Sequence, residues 1–330
     1  MKIAVLGSGA WGTALAVSFA PRHQVTLWSR EAEEIEAMRR DRCNRRFLPD
    51  VPLPAELELS SSLNDTLADA ELAIVAVPVA GLRSTLLQLA KLPSAVSVIW
   101  VCKGFESDTS QFPHQIAEKI LPTSFPRGVL SGPSFAQEVA RSQPTAMTLA
   151  SNDGDFAQRM AKALHHSRLR IYSSTDVVGV EIGGAVKNVL AIAAGICDGM
   201  QMGLNARAAL LTRGLAEMTR LGLQMGGRAE TLGGLSGVGD LILTCTGDLS
   251  RNRQVGMLLA QHKSLSSILN ELGHVAEGVY TAREVHQIAQ QQKVEMPICE
   301  AVYRVLYEDL AADKAVEILL SRQPGSEFTD

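Results

Sequence analysis

The sequence predicts an α/β protein of two domains, a doubly wound parallel sheet at residues 1–180 followed by an all-α domain at residues 181–330. Apolar strand-like runs alternate with helical segments as far as about residue 177, which is typical of a parallel sheet covered by helices. Beyond that point the apolar residues follow a helical period broken by glycine loops, and no strand pattern is convincing. A length of 330 residues fits two domains.

The first strand, glycine turn and helix form a unit typical of dinucleotide binding. Ile3, Val5 and Leu6 predict a short strand, and Gly7, Gly9 and Gly12 follow it at the spacing G-x-G-x-x-G before an apolar helix. Gly7 permits the tight turn, Gly9 lets the backbone approach a pyrophosphate, and Gly12 lets the helix pack closely on the strand. The N–H groups at the helix start would bind the pyrophosphate. The pattern therefore favours a Rossmann-type domain, and the alternative is a glycine-rich turn that binds nothing.

The remaining elements follow in chain order. The first domain has predicted strands at 24–28, 72–77, 96–101, 129–131, 146–150 and 169–172, and helices at 31–39, 79–90, 134–140 and 156–166. The second domain has predicted helices at 180–197, 206–225, 252–261, 265–272, 278–292, 297–308 and 312–320. Prolines predict a loop at 47–54, and Ser134 with Gln137 predicts a capping box at a helix start.

Composition and charge argue against several classes of protein. A net charge of −4 provides no polyanion-binding surface, so nucleic acid is not an expected partner. The five cysteines are widely spaced with no C-x-x-C, and no histidine motif suggests a metal site. The chain opens on a strand without a secretory signal, which predicts a cytoplasmic protein. The apolar run at 182–197 is shorter than the roughly 20 residues of a membrane span and carries Lys187 and Asn188, so it predicts a buried helix.

Lys187 is the predicted catalytic residue. On a helix it shares one face with Gly183, Gly184 and Ala191, whose small size leaves room for a ligand beside the amine. Burial disfavours the charged ammonium and lowers the pKa of a lysine, so this amine could exchange a proton near neutral pH. The alternative is a lysine whose stem packs in the core while its amine reaches solvent.

Further candidates lie where predicted strands and loops end. Lys103, Gly132 and Ser134 follow two strands at the carboxyl edge of the sheet, where open α/β sheets bind ligands. Asp240 follows a glycine-rich loop and is either a helix N-cap or a carboxylate that orients Lys187 or a substrate hydroxyl.

Two basic segments indicate phosphate recognition. The run Ser250-Arg251-Asn252-Arg253 places guanidiniums and N–H groups at a helix start, which suits a phosphate, although a solvated basic helix end explains it equally well. After the second predicted strand, Ser29 and Arg30 stand where an acid usually binds the adenine ribose. An arginine beside a hydroxyl accepts a 2′-phosphate, so NADPH is expected to bind at least as well as NADH.

Seven segments taken together resemble the bacterial NAD(P)-dependent glycerol-3-phosphate dehydrogenases. They are GSGAWGTALA, NRRFLPDV, WVCKGFE, LSGPSFAQEVA, GGAVKNVLAIAAG, GLSGVGDLILTCTGDLSRNR and VAEG. The resemblance implies a 6-phosphogluconate-dehydrogenase-like helical second domain. It also implies reversible reduction of dihydroxyacetone phosphate by NAD(P)H to sn-glycerol 3-phosphate for phospholipid synthesis, with Lys187 as the general acid–base group.

The resemblance also implies roles for individual positions. The implied substrate residues are Lys103, Gly132, Ser134, Lys187, Asp240, Ser250, Arg251 and Asn252. The implied cofactor residues are Gly7, Gly9, Ala10, Trp11, Gly12, Arg30, Phe47, Lys103, Ala136, Arg251, Val275 and Glu277. Ala10 replaces a frequent serine of the family, which removes one phosphate hydrogen bond.

Two other functions remain open from the residues themselves. One is a related dehydrogenase of the β-hydroxyacid or 6-phosphogluconate type, and the other is a nucleotide-binding regulator without catalysis. The apolar faces of the predicted second domain would suit a homodimer.

Overall fold

A computed structural model describes residues 1–93, 95–107, 109–272 and 276–323 of the chain. These residues belong to two compact units. The first consists of Met1–Gly184 and Met225–Asp240, and the second of Ala185–Gln224 and Leu241–Asp330. The division therefore falls after Gly184 rather than after residue 180. The segment Met225–Asp240 belongs with the first unit, although the sequence places it among the helices of the second.

The first unit contains an eight-stranded sheet in the order β10-β9-β8-β7-β6-β1-β2-β5. The strands are β1 (Lys2–Leu6), β2 (Gln24–Trp28), β3 (Cys43–Asn44), β4 (Leu48–Pro52), β5 (Glu58–Ser60), β6 (Leu72–Val75), β7 (Ser97–Trp100), β8 (Arg127–Ser131), β9 (Thr145–Ala150) and β10 (Leu169–Ser174). The neighbouring strands of this sheet run parallel except β8 and β9, which are antiparallel. β3 and β4 form a separate antiparallel pair.

Helices connect the strands of the first unit and make up the second. They are α1 (Ala10–Phe19), α2 (Ala32–Asp41), α3 (Leu63–Leu67), α4 (Val79–Leu89), α5 (Pro113–Ile120), α6 (Ala136–Ala140), α7 (Gly154–Leu164), α8 (Val177–Gly199), α9 (Leu204–Gln224), α10 (Ala229–Leu232), α11 (Asp240–Thr246), α12 (Arg251–Leu259), α13 (Leu265–Leu272), α14 (Glu277–Gln292), α15 (Pro297–Tyr307) and α16 (Ala312–Leu320). A π-helix at Leu235–Gly239 lies between α10 and α11. In the described part of the second unit no strand is present, so the all-α prediction is confirmed.

Both faces of the sheet are buried. Ile3 and Val5 of β1 belong to one apolar cluster, whereas Ala4 and Leu6 belong to another. Because successive strand residues point to opposite faces, the two clusters lie on the two sides of the sheet. This double burial explains the continuous apolar runs of the central strands and confirms the doubly wound prediction.

α8 is the longest helix, and its length and composition alone would let it cross a membrane. Among the described residues no other helix meets that description. Its apolar stretch has a mean hydropathy of 1.6 and is 94% buried within the protein. It is therefore the buried helix that Lys187 and Asn188 predict.

Two local predictions are wrong. The proline-rich segment at 47–54 is not a loop, because β4 lies within it and pairs with β3. A two-stranded ribbon leaves one side of each strand unpaired, where a proline without an N–H is tolerated. The capping box is also absent, since α6 begins at Ala136 after Phe135, and Ser134 Oγ instead donates to the carbonyl of Gly132 at 3.1 Å.

Candidate active site

The glycine turn between β1 and α1 has the geometry that a dinucleotide site requires. Gly7 adopts φ +122°, and a Cβ there would lie 2.7 Å from the carbonyl oxygen of Ala76. A Cβ on Gly12 would lie 2.0 Å from the carbonyl oxygen of Gly7, so only glycine allows α1 to pack this closely. A Cβ on Gly9 would meet nothing within 4 Å. Gly9 is the N-cap of α1 and makes no side-chain hydrogen bond, so the cap itself leaves the first N–H groups of the helix unbonded. These residues fit a pyrophosphate.

Asn44 fastens the β3–β4 ribbon to this turn. Its Nδ2 donates to the carbonyl of Ser8 and to Thr13 Oγ1, both at 2.8 Å, and its Oδ1 accepts from the backbone N–H of Phe47. The position of Phe47 therefore depends on the glycine turn. The sequence analysis did not single out Asn44, although it opens the quoted segment NRRFLPDV.

Glu34, an acid of α2, contacts the residue that follows β2, and no motif of the sequence marks it. Ser29 is buried, and its hydroxyl donates to Glu34 Oε2 at 3.2 Å. The side chain of Arg30 is 83% exposed and its Nε donates to Glu31 at 2.9 Å. Arg30 therefore stays at the surface, while the neighbouring hydroxyl is held by a carboxylate.

Three apolar or aromatic positions flank the same region. Ala10, Trp11 and Ala136 are half-buried and pack against the cluster that contains Val5. α1 and α6 are in contact, so two of the helices that carry predicted cofactor residues are neighbours. Val275, another predicted cofactor residue, lies outside the described residues, and Glu277 is exposed at the start of α14.

Four of the predicted substrate residues come together in the first unit. Lys103 Nζ donates to Asp240 Oδ2 at 2.7 Å and to the carbonyl of Gly132 at 3.2 Å. Ser134 Oγ donates to that same carbonyl. Asp240 is 1% exposed and begins α11 directly after the π-helix, and its carboxylate pairs with Lys103.

Ser131 lies beside this group and was not predicted. Its hydroxyl is buried and has no hydrogen-bond partner among the described residues. A Cβ added to Gly184 would lie 3.1 Å from Ser131 Oγ and 3.4 Å from Lys103 Cγ, so both side chains border that glycine. Because a buried unsatisfied hydroxyl costs about 1–3 kcal/mol, a polar ligand atom would be stabilised here.

Lys187 is buried in the second unit. It lies in the middle of α8, is 7% exposed, and its Nζ donates to Thr244 Oγ1 of α11 at 3.0 Å. Thr244 is itself buried. The lysine is therefore a core residue with a fixed amine rather than one that reaches solvent.

A chain of amide hydrogen bonds lies next to this lysine. Asn188 Oδ1 accepts from Asn252 Nδ2 at 3.0 Å, and Asn252 Oδ1 accepts from the backbone N–H of Gly278 at 3.0 Å. Three helices of the second unit, α8, α12 and α14, are joined by these bonds. Asn252 thus has a structural role beside the predicted substrate role.

The basic segment at the start of α12 divides into two parts. Ser250 is the N-cap, as predicted, and its Oγ accepts from the backbone N–H of Arg253. The guanidinium of Arg253 pairs with Asp198 at 2.7 Å and with Asp248 at 3.1 Å. Arg251 is exposed in the first turn, so it is the arginine placed to meet an anion at this helix start.

Comparison with known proteins identifies the family. Residues 2–157 match the N-terminal family profile of NAD-dependent glycerol-3-phosphate dehydrogenase, and residues 176–317 match the C-terminal profile. The chain belongs to this dehydrogenase family. The resemblance in the motifs is therefore confirmed, and a glycerol-3-phosphate dehydrogenase is favoured over the two alternative functions.

Individual relatives support the same family over the whole chain. Proteins named glycerol-3-phosphate dehydrogenase [NAD(P)+] from Thiobacillus denitrificans and Nitrosospira multiformis are 60% and 58% identical, over 99% of this chain and 100% of each relative. A glycerol-3-phosphate dehydrogenase crystal structure from Coxiella burnetii has 42% identity and a TM-score of 0.92, over 97% of this chain and 98% of that one.

Proposed function

We propose that this protein reduces dihydroxyacetone phosphate to sn-glycerol 3-phosphate, reversibly, with NADH or NADPH, and so supplies glycerophospholipid synthesis. The observation that carries this proposal is the buried amine of Lys187, held by Thr244 at the centre of α8 in a chain of this family. The names of its relatives, glycerol-3-phosphate dehydrogenase [NAD(P)+], support both the reaction and the use of either cofactor.

Lys187 is the proposed general acid. Reduction of a ketone places negative charge on the carbonyl oxygen, and the ammonium donates a proton to that oxygen as the charge develops. In the oxidative direction the amine accepts the proton of the substrate hydroxyl. The hydrogen bond to Thr244 holds Nζ in one position, which limits the motion of the donor before the reaction. The bound nicotinamide supplies or receives the hydride.

The cofactor is proposed to bind the first unit along the glycine turn. The first N–H groups of α1 would hold the pyrophosphate. The other proposed cofactor residues are Ala10, Trp11, Arg30, Phe47, Lys103, Ala136, Arg251, Val275 and Glu277.

The proposed substrate residues of this paragraph form two groups, one in each unit. Lys103 supplies a cation whose position is set by Asp240 and by the carbonyl of Gly132. Ser134 adds a hydroxyl to that group. In the second unit Ser250, Arg251 and Asn252 mark the helix start proposed for the substrate phosphate.

We also propose a homodimer formed through the second unit. A cavity of about 1470 Å³ is lined mostly by apolar residues of α8, α9, α15 and α16. Leu223 and Leu320 line it and are 52% and 72% exposed. Exposed apolar patches on soluble proteins are often interfaces. Light scattering after size exclusion tests this: wild type is expected at twice the chain mass and Leu320→Lys at a smaller mass. A monomeric wild type would contradict the dimer.

We also propose that the protein is cytoplasmic. None of the five cysteines forms a disulfide, and all five lie in the described part of the chain. That is the state expected in a reducing compartment.

A steady-state assay with dihydroxyacetone phosphate and each reduced cofactor tests the reaction. Cofactor oxidation is expected with both NADH and NADPH, and little with a 2-oxoacid in place of the triose phosphate. Turnover of the 2-oxoacid alone would favour a hydroxyacid dehydrogenase. Tight cofactor binding without turnover of either substrate would favour a regulator.

A further inference from the structure

We propose that Glu34 is a specificity-determining residue that sets the balance between NADPH and NADH, an inference that rests on the proposed function. Glu34 lies in the first turn of α2. Its Oε2 accepts hydrogen bonds from the hydroxyls of Ser8 and Ser29, each at 3.2 Å. Its Oε1 accepts from Arg46 Nη1 at 2.6 Å.

These partners fix the carboxylate at the edge of the sheet where the adenine ribose binds in this type of fold. Ser29 follows β2 directly, and Ser8 follows β1 after Gly7. The last residues of these parallel strands pair as Leu6 with Trp28. The backbone N–H of Gly7 donates to the carbonyl of Trp28 at 3.0 Å, which holds the two strand ends together. In NAD-binding sheets an acid at the end of the second strand receives the ribose 2′-hydroxyl.

Glu34 thus supplies from a helix the acid that is missing from the end of β2. The side chain is only 25% exposed, and its three hydrogen bonds limit it to this position. An adenine ribose at this edge would present its 2′-hydroxyl to a carboxylate, as NADH requires.

The contacts of Glu34 with Ser8, Ser29 and Arg46 also explain how this residue would weaken the binding of NADPH. Two hydroxyls and a guanidinium are the groups that bind a phosphate, and the carboxylate of Glu34 already occupies all three. A 2′-phosphate would meet a like charge and compete with Glu34 for Arg46. Arg30, exposed beside Ser29, acts in the opposite direction because its charge attracts the phosphate. The cofactor preference is therefore the balance between Glu34 and Arg30.

The test measures binding without substrate. Dissociation constants of NADPH and NADH are determined by nicotinamide fluorescence for wild type and Glu34→Gln, together with competition by adenosine 2′,5′-bisphosphate and by 5′-AMP. Glutamine keeps the shape and an acceptor for the serines but removes the charge. The NADPH to NADH affinity ratio is expected to rise about tenfold, as is the affinity for the bisphosphate relative to 5′-AMP.

Glu36→Gln is the matched control. Glu36 lies on the same helix, is 67% exposed and pairs with Arg39 at 2.5 Å, so its variant loses the same charge away from the serines. Its affinity ratio is expected to equal that of wild type.

Three results would overturn the proposal. The first is an unchanged ratio in Glu34→Gln, and the second is an equal rise in Glu36→Gln. The third is an equal fall in the affinities for NADPH and NADH in Glu34→Gln together with a lower Tm. That result would show that Glu34 only holds the two serines in position. Failure of the proposed reaction would look different, since wild type would bind both cofactors and show no turnover with dihydroxyacetone phosphate.

Discussion

Two lysines of this protein, one in each unit, donate hydrogen bonds to different kinds of acceptor. Lys103 pairs at 2.7 Å with the buried carboxylate of Asp240 and also donates to a carbonyl. Lys187 lies deeper, in the middle of an apolar helix, and donates to the hydroxyl of Thr244 at 3.0 Å.

This difference indicates a division of tasks. Lys103 is suited to act as a fixed cation beside a ligand, and Lys187 is suited to donate and accept a proton. Replacing each lysine should therefore change different kinetic and thermodynamic quantities, and the predictions below use that contrast.

The largest effect is expected for Lys187→Ala. Loss of a general acid should lower kcat by about 10²–10⁴-fold, because the developing charge on the substrate oxygen loses its proton donor. The dissociation constant of NADPH should stay within about twofold, since the proposed pyrophosphate site is formed by the first unit. Stopped-flow turnover and fluorescence titration measure the two quantities.

Lys187→Met is the control for packing. Methionine keeps the apolar stem inside α8 without the amine, so it should lose as much activity as alanine. Recovery of turnover in the methionine variant would show that packing, rather than the proton donor, causes the loss.

The second effect concerns the Lys103–Asp240 pair. Because each substitution breaks a buried ion pair, Lys103→Met and Asp240→Asn are each expected to destabilise the protein by about 3 kcal/mol. The double variant should regain most of that stability while kcat/KM with dihydroxyacetone phosphate stays low. Urea unfolding measures the stability of wild type, the two single variants and the double variant, and steady-state kinetics measure their activity. Additive stability losses in the double variant would contradict a direct pairing.

The third effect separates two glycines of the same turn. Gly9→Ala adds a Cβ into open space, so Tm should hardly change while the affinity for NADH falls about tenfold through exclusion of the pyrophosphate. Gly12→Ala places a Cβ 2.0 Å from a carbonyl oxygen, so it should unfold the first unit at much lower temperature. Equal Tm values for the two variants would contradict the assigned geometry.

The smallest effect is a pH dependence of stability in the second unit. Burial raises the pKa of Glu217 to about 7, and hydrogen bonds from the backbone N–H groups of Ile298 and Cys299 only partly oppose it. An acid whose pKa is raised by folding binds its proton more tightly in the folded protein. Its contribution to the free energy of unfolding therefore falls as pH rises from about 4.5 to 7 and is constant above pH 7. The loss is at most about 3 kcal/mol.

Glu217→Gln is expected to flatten the Tm profile over that range, although it loses one backbone hydrogen bond and is less stable overall. In both proteins the stability also falls with pH because of Glu181 in the first unit, whose pKa is raised by burial. The test is therefore the difference between the two profiles. Parallel profiles would show that Glu217 does not titrate in this range.

Local signals were enough to predict the glycine turn, the parallel sheet and the two lysines. Gly7, Gly9 and Gly12 act through their own backbone, and Lys187 stands out because a charge interrupts an apolar helix. The pairing of Lys103 with Asp240 follows no spacing rule, and the residues themselves did not predict it.

The missed residues act through contacts made by distant parts of the chain. Asn44 and Glu34 matter because the fold brings them to Ser8, and nothing in their own neighbourhood shows this. The short β3–β4 ribbon escaped prediction because its prolines resemble a loop. Likewise, the glycine-rich sequence of Met225–Asp240 does not show which of the two cores the segment joins.

Because Met225–Asp240 belongs to the first unit, neither unit is one continuous segment of the chain, and no single cut in the gene separates them. A fragment ending at Gly184 would lack Asp240, and its Lys103 would lose the carboxylate that neutralises it. A cut after Asp240 would leave the whole of α9, which belongs to the second unit, attached to the first. Modular exchange of one unit between family members therefore requires splicing three separate junctions, which constrains recombination far more than a tandem arrangement would.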